Sequence, residues 1–241
     1  MGVFIGVIGF FTAMLLRNPP LDIAGKTDDN LQTKTNIENN LYDYQLKEAI
    51  RTLPFFLLLF TFTALIFSLS IVTTHLVAHV EDMGFNPVSA ALVLTLIGAS
   101  GILGRIIIGG IADRYKTKIL LPACLFLQAV LLLSLIRVDD LQGFYIVAAL
   151  YGLGYGGTLP LVIKMNTDFF GMTFSGTIFG VLLFGATTAG AIGAPFAGYV
   201  YDTTGCYSLA FLTASIILLT GSLLSLAIKA PEPGITFDTF K

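Results

Sequence analysis

Apolar positions in this chain fall in long unbroken runs and do not alternate with polar ones. Six runs, at residues 54–74, 89–111, 119–136, 143–163, 176–199 and 207–228, are 18 to 24 residues long. An α-helix rises about 1.5 Å per residue, so roughly 20 apolar residues cross the ~30 Å hydrocarbon layer. A membrane β-barrel would need apolar and polar residues to alternate over about ten positions, and no such pattern is present. The runs therefore predict an all-α membrane protein with six transmembrane helices. A shorter apolar stretch at 1–16 reads as part of a seventh. It lacks the basic leader and small-residue cleavage site of a signal peptide and is closed by Arg17-Asn18-Pro19-Pro20, as the end of a span would be.

Polar stretches divide the rest. Residues 17–53 are rich in Asn, Asp, Thr and Lys, cannot bury a core alone, and read as a linker. Their last part, 42–51, has the pattern of a short amphipathic helix on the membrane surface. The expected organisation is a span remnant at 1–16, a central linker at 17–53, a six-helix bundle at 54–228 and a tail at 229–241.

Composition agrees with this picture. The 241 residues are 55% hydrophobic and only 12% charged, where soluble domains are usually about 25% charged. Without a basic patch interleaved with aromatics, nucleic acid is not an expected partner; the lipid bilayer is. Cys124 and Cys206 lie in different segments with no disulfide or metal spacing. The distribution of charge is more informative than its net value of −2. The linker, the loop at 113–118, residues 164–175 and the tail hold eleven of the thirteen Lys and Arg. The opposite loops hold only Arg137, beside Glu81, Asp82, Asp139, Asp140 and Asp202. Basic loops stay in the cytoplasm, so the linker and C-terminus are expected there, in a multi-pass protein of the plasma membrane. Strict alternation then starts the chain outside, part-way through a span, as expected for a piece of something longer.

Small residues recur along the spans: Gly98, Gly101 and Gly104 in the second full span, and Ala186, Gly190, Ala194 and Gly198 in the fifth. Such stripes let helix backbones approach closely in lipid. The second stripe reads as a face that rocks against another bundle. Pro160 and Pro195 are expected to kink or open their helices.

Few residues are candidates for chemistry. Arg105 is an isolated charge within an apolar run, eight residues before Asp113, or about 12 Å along a helix. A lone arginine at mid-membrane costs about 2.5–3.5 kcal/mol on insertion scales, so it implies a compensating partner. It either grips an anion or snorkels to phosphates and braces a gate. His75 and His79 share a helix face but lack the third ligand of a metal site, and no metal or cofactor is expected. Thr63, Ser70 and Thr74 form one hydroxyl stripe; Tyr151, Tyr155 and Thr158 form another. These groups either bond a solute or return to their own helix and pack. Gly152, Gly154 and Gly157 spell GxGxxG, but inside an apolar span with no preceding strand, which excludes a dinucleotide fold. With neither a catalytic triad nor paired embedded carboxylates, no enzyme is predicted.

GGIADRYKTK, from Gly109 to Lys118, resembles the signature loop of the major facilitator superfamily: a glycine, an Ala-Asp-Arg, then further bases. In that family the loop joins helices two and three and recurs between eight and nine. The position of the linker two spans earlier makes this chain similar to a C-terminal half, with residues 1–16 as the remnant of helix six. RNPP before the linker and GAIGAPFAGYVYDTTGCY at 190–207 resemble the oxalate–formate antiporter and monocarboxylate transporter branch. The resemblance implies roles for several residues. Arg105, four residues before Gly109, would grip a substrate carboxylate. Asp113, with Gly109, Arg114 and Lys118 in the motif, would hold one conformation by contacting the start of the eleventh helix. Thr74, His75, Tyr151, Tyr155 and Thr158 fall on the seventh and tenth helices, which line the cavity in that family.

Three positions depart from the pattern. Lys116 stands where the motif usually has glycine. Gly101 stands where monocarboxylate transporters place a proton-coupling acid. Residues 177–199 lack the lysine of oxalate exchangers. The function implied is secondary transport of a small organic anion, most simply a monocarboxylate, by alternating access with a missing N-terminal half. The alternatives are a non-transporting subunit or inactive fragment, or a facilitator for a non-anionic solute or drug.

Overall fold

The computed structural model describes residues 43–112 and 114–229. A single helical turn, α1 (Leu46–Ala49), precedes six long helices: α2 (Leu53–Asp82), α3 (Pro87–Ala112), α4 (Thr117–Leu135), α5 (Leu141–Phe170), α6 (Ser175–Thr204) and α7 (Ser208–Ala227). Each of the six is long and apolar enough to cross a membrane, as the runs predicted. Connections of three to five residues make sequential helices antiparallel, which gives the bundle a basic end and an acidic end. Arg114, Lys116 and Lys118 lie at the first; Glu81, Asp82, Asp139, Asp140 and Asp202 lie at the second.

Local chemistry sets the helix ends. Pro54 stands in the first turn of α2, where a missing N–H costs nothing. The Asp140 carboxylate accepts from the Gly143 N–H at 3.0 Å and caps α5. Gly205, at φ +71°, closes α6 with its N–H on the Tyr201 carbonyl. Lys116 enters α4 at φ −64°, ψ 120°, so the departure from the motif glycine needs no left-handed backbone.

The principal pairings repeat. α3 packs on α5 as α6 packs on α2; α4 meets α5 as α7 meets α2; α3 meets α2 as α6 meets α5; and α4 and α7 meet each other. Exchanging α2 with α5, α3 with α6 and α4 with α7 maps these contacts onto themselves. Because each triplet crosses the membrane three times, the second begins at the end opposite the first. That is an inverted repeat. α2 and α5 are its hubs, while α3 and α6 leave broad apolar faces open, including Ile106 and Phe184.

Serines and a glutamine stitch the interior. Ser68 donates to the Ala214 carbonyl (3.1 Å), Ser215 to Ala129 (2.8 Å) and Ser222 to Pro122 (2.8 Å). Such bonds hold helices together where lipid supplies no hydrophobic drive. The small-residue stripe of α6 is part of the same stitching. Gly190 lies against Ile66 and Gly198 against His75, both on α2. The stripe therefore packs within this bundle.

Only one turn of the expected surface helix at 42–51 forms, because the chain is held elsewhere. The Tyr44 N–H donates to the Phe170 carbonyl at 3.0 Å, and the Thr173 hydroxyl donates to the Asp43 carboxylate at 2.5 Å. Gly171, at φ +82°, leaves the Asp43 side chain the space that a Cβ would fill. Gly171→Ala therefore meets both backbone strain at φ 82°, ψ 177°, about 1–3 kcal/mol, and a collision. Its expected result is faster amide hydrogen exchange at 43–52 with exchange in α7 unchanged; equal exchange in both would show the clamp to be incidental.

Candidate functional site

The site grows from the seam between α3 and α5. Gly101 and Gly104 of α3 face Gly152, Leu153 and Gly156 of α5 so closely that a methyl on Gly156 would collide with the Gly101 carbonyl. Gly157 lies against Ile108, and Gly154 against Gln128 and Cys124. The GxGxxG glycines are thus points of close helix packing, as expected for an apolar span and not for a nucleotide loop.

With the glycines turned inward, Arg105 turns outward. It is exposed, and its guanidinium makes no hydrogen bond or ion pair among the described residues. Seven residues, about 10 Å, separate it from the last residue of α3. It borders a groove of about 530 Å³ with Leu159, Pro160, Ile163, Lys164 and Thr167, all from α5. Lys164 is the group that sequence reasoning missed. Residues 164–175 were expected to be a loop, whereas α5 continues to Phe170. The signal was available: nothing between Pro160 and Gly171 breaks a helix. The Lys164 ammonium donates to the Ala112 carbonyl, so it caps α3 from across the seam while presenting a second cation to the groove.

The other expected residues lie apart from that groove. Tyr151 is buried within the bundle. Thr158 donates to the Gly154 carbonyl at 2.7 Å and accepts from Gln128 of α4 at 2.9 Å. Tyr155 is half-buried beside Gly101. The tyrosine–threonine stripe thus faces the interior, about one third of a turn from the Leu159–Pro160–Ile163 face. Thr74 is exposed on α2. His75 contacts the Ala194 carbonyl of α6 at 2.9 Å through Nε2. A carbonyl only accepts, so Nε2 is the donor of this bond. His79 lies in an aromatic box of Phe144, Tyr207 and Phe211, and His75 packs on the same Tyr207 ring. No group of three or more His, Cys, Asp or Glu suited to a metal occurs among the described residues. Arg114 is exposed, Lys118 half-buried and Gly109 half-exposed with open space beside it. Asp113 lies outside the described residues.

Residues 1–142, more than half of the chain, match the model of the Major Facilitator Superfamily. The chain belongs to that superfamily. Among its curated relatives are Monocarboxylate transporter 13 of Bos taurus, 30% identical over 153 residues (61% of this chain and 35% of that protein), and Monocarboxylate transporter 12-B of Danio rerio, 28% identical over 177 residues (71% and 37%). Monocarboxylate transporter 11 of Homo sapiens is 25% identical over 168 residues (66% and 36%). The chain spans about a third of the length of these relatives. Within the superfamily its likeness is to the monocarboxylate branch, and the all-α bundle of six spans is the half-bundle that such a member requires.

Proposed function

We propose that this facilitator chain forms the C-terminal half of a secondary transporter for small organic monocarboxylates. The observation that carries the reading is Arg105. A guanidinium in the apolar part of a span, with no described protein partner and a groove beside it, is placed to receive an anion arriving from water. Its planar fork matches a carboxylate with two parallel hydrogen bonds, a geometry that lysine cannot reproduce. The half-site is completed by an N-terminal half, in the same polypeptide or as a partner. The two halves rock about the site to expose it alternately. The names of the relatives support the monocarboxylate class.

The test is uptake of a radiolabelled panel of monocarboxylates by the chain joined to a complementary N-terminal half, with Arg105→Lys beside the parent. Saturable uptake lost in the mutant is the expected result. Equal anion uptake in both would remove Arg105 from the site. No uptake of any solute by the joined protein would favour a non-transporting subunit.

The proposed orientation puts the basic end and C-terminus in the cytoplasm of a plasma-membrane protein, and the acidic end outside. Cys206, exposed in the α6–α7 turn, reports on this. The Ser208 N–H and then the Thr204 hydroxyl hold its thiol below the ordinary range by favouring the thiolate. A membrane-impermeant maleimide is expected to label intact cells at Cys206, with the rate rising at lower pH than for an ordinary thiol, and Cys206→Ser is expected to abolish the label. Labelling confined to inverted vesicles would reverse the orientation.

A further inference from the structure

At the acidic end, where α4 stops and turns into α5, a second cavity of about 650 Å³ opens between α4 and α7. Val130, Leu133 and Ser134 of α4 wall it on one side and Leu212 of α7 on the other; Ile136, Arg137 and Val138 form its rim. One turn deeper, the bond from Ser215 to the Ala129 carbonyl joins the two helices. The Ser134 hydroxyl spends its proton on the Leu131 carbonyl at 2.7 Å, so the walls offer no free hydrogen-bond donor among the described residues. Val130 and Leu212 are 42% and 36% exposed, so the groove opens sideways into the surroundings of the bundle, which in a membrane are acyl chains.

Arg137 gives the groove its chemistry. It lies two residues past the end of α4, at the acidic end of the bundle, and it is exposed. Its backbone N–H donates to the Ser134 carbonyl at 2.9 Å, but its guanidinium makes no hydrogen bond or ion pair among the described residues although Asp139 and Asp140 follow it. Asp140 is committed to capping α5, whereas Asp139 stands exposed. The rim therefore carries one available cation and, two residues on, one available anion.

We propose that this groove is a site for a zwitterionic phospholipid. One acyl chain lies against Val130, Leu133 and Leu212, the phosphodiester accepts from the Arg137 guanidinium, and the headgroup ammonium meets Asp139. The guanidinium fork suits two phosphate oxygens. The two Asp carboxylates nearby select against a headgroup with net negative charge, because like charges at this range repel. A sterol or other uncharged lipid would fill the walls and leave Arg137 without a partner. The site is independent of the transport reading, since none of its residues borders the Arg105 groove.

Native mass spectrometry of the full chain released from micelles tests this, with added phosphatidylethanolamine, phosphatidylglycerol or diacylglycerol. One phosphatidylethanolamine per chain is the expected result, retained at least tenfold better than either other lipid. Arg137→Gln is expected to lower that retention at least tenfold. So is Val130→Trp, which fills the groove. Leu223→Trp, on an open face of α7, is expected to leave it unchanged. Circular dichroism checks that each variant folds; Arg137 is exposed, so its substitution decides the matter even where the tryptophan variants fail. Equal retention in the parent and Arg137→Gln would mean annular lipid only and would overturn the proposal. Equal binding of diacylglycerol would overturn the phosphate contact, and preferred binding of phosphatidylglycerol would overturn the zwitterionic headgroup.

Discussion

Gly156→Ala is expected to unseat α3 from α5 and destabilise the bundle by about 3 kcal/mol, near the upper end of what overpacking costs. The added methyl meets the carbonyl of Gly101, a backbone atom that no rotamer change can move aside. The helices must separate, and they then lose the contacts of Gly104 with Leu153 and of Gly152 with Ile97 and Ser100 as well. Arg105 and Pro160, which border one groove from opposite sides of this seam, move apart with them. Gly98→Ala is the matched control. Gly98 lies on the open face of α3 with nothing within 4 Å of an added Cβ, so its change should stay within about 0.5 kcal/mol. Reversible unfolding in micelles, followed by circular dichroism, reads both. Equal midpoints would mean that the seam relaxes freely.

The second large effect concerns Arg105→Lys. The mutant keeps the charge and loses the fork, so the transport defect measures geometry apart from electrostatics. Loss of one charge-assisted hydrogen bond of about 1.5–3 kcal/mol corresponds to uptake efficiency falling roughly 10- to 150-fold at 1.4 kcal/mol per factor of ten. Arg105→Gln, which also removes the charge, should fall further. Lys164→Met separates the two cations of the groove. Because the Lys164 ammonium is engaged with the Ala112 carbonyl, its loss should lower stability more than it alters substrate preference. If Lys164→Met changes anion selectivity as strongly as Arg105→Lys does, the two cations share the ligand.

Much of the bundle was legible because hydrocarbon imposes a length and a polarity on any helix that crosses it. The six apolar runs, the charge asymmetry between loops and the embedded Arg105 follow from that constraint alone. Periodicity, by contrast, marks which residues share a face and says nothing of which neighbour that face meets. Tyr151 and Thr158 do share a face, yet the Thr158 hydroxyl meets Gln128 of α4 and Tyr151 is buried within the bundle. The small residues of α6 form a stripe as expected, but their partner is α2 of the same bundle. Lys164 was missed for a different reason. Its polar neighbours Asn166, Thr167 and Asp168 look like a loop by composition, while the Asn166 amide donates to the Ser175 carbonyl (3.0 Å) and ties the last turns of α5 to the start of α6.

Ser70 and His75 both spend a hydrogen bond on α6, at the carbonyls of Gly190 (2.7 Å) and Ala194 (2.9 Å). With α2 and α6 pinned at two levels, and α3 and α5 interlocked at the pseudo-equivalent place, little freedom is left for one helix to slide past another. Large movements of this unit are then those of a solid block swinging as a whole, and the compliance lies in whatever lines its uncovered flanks.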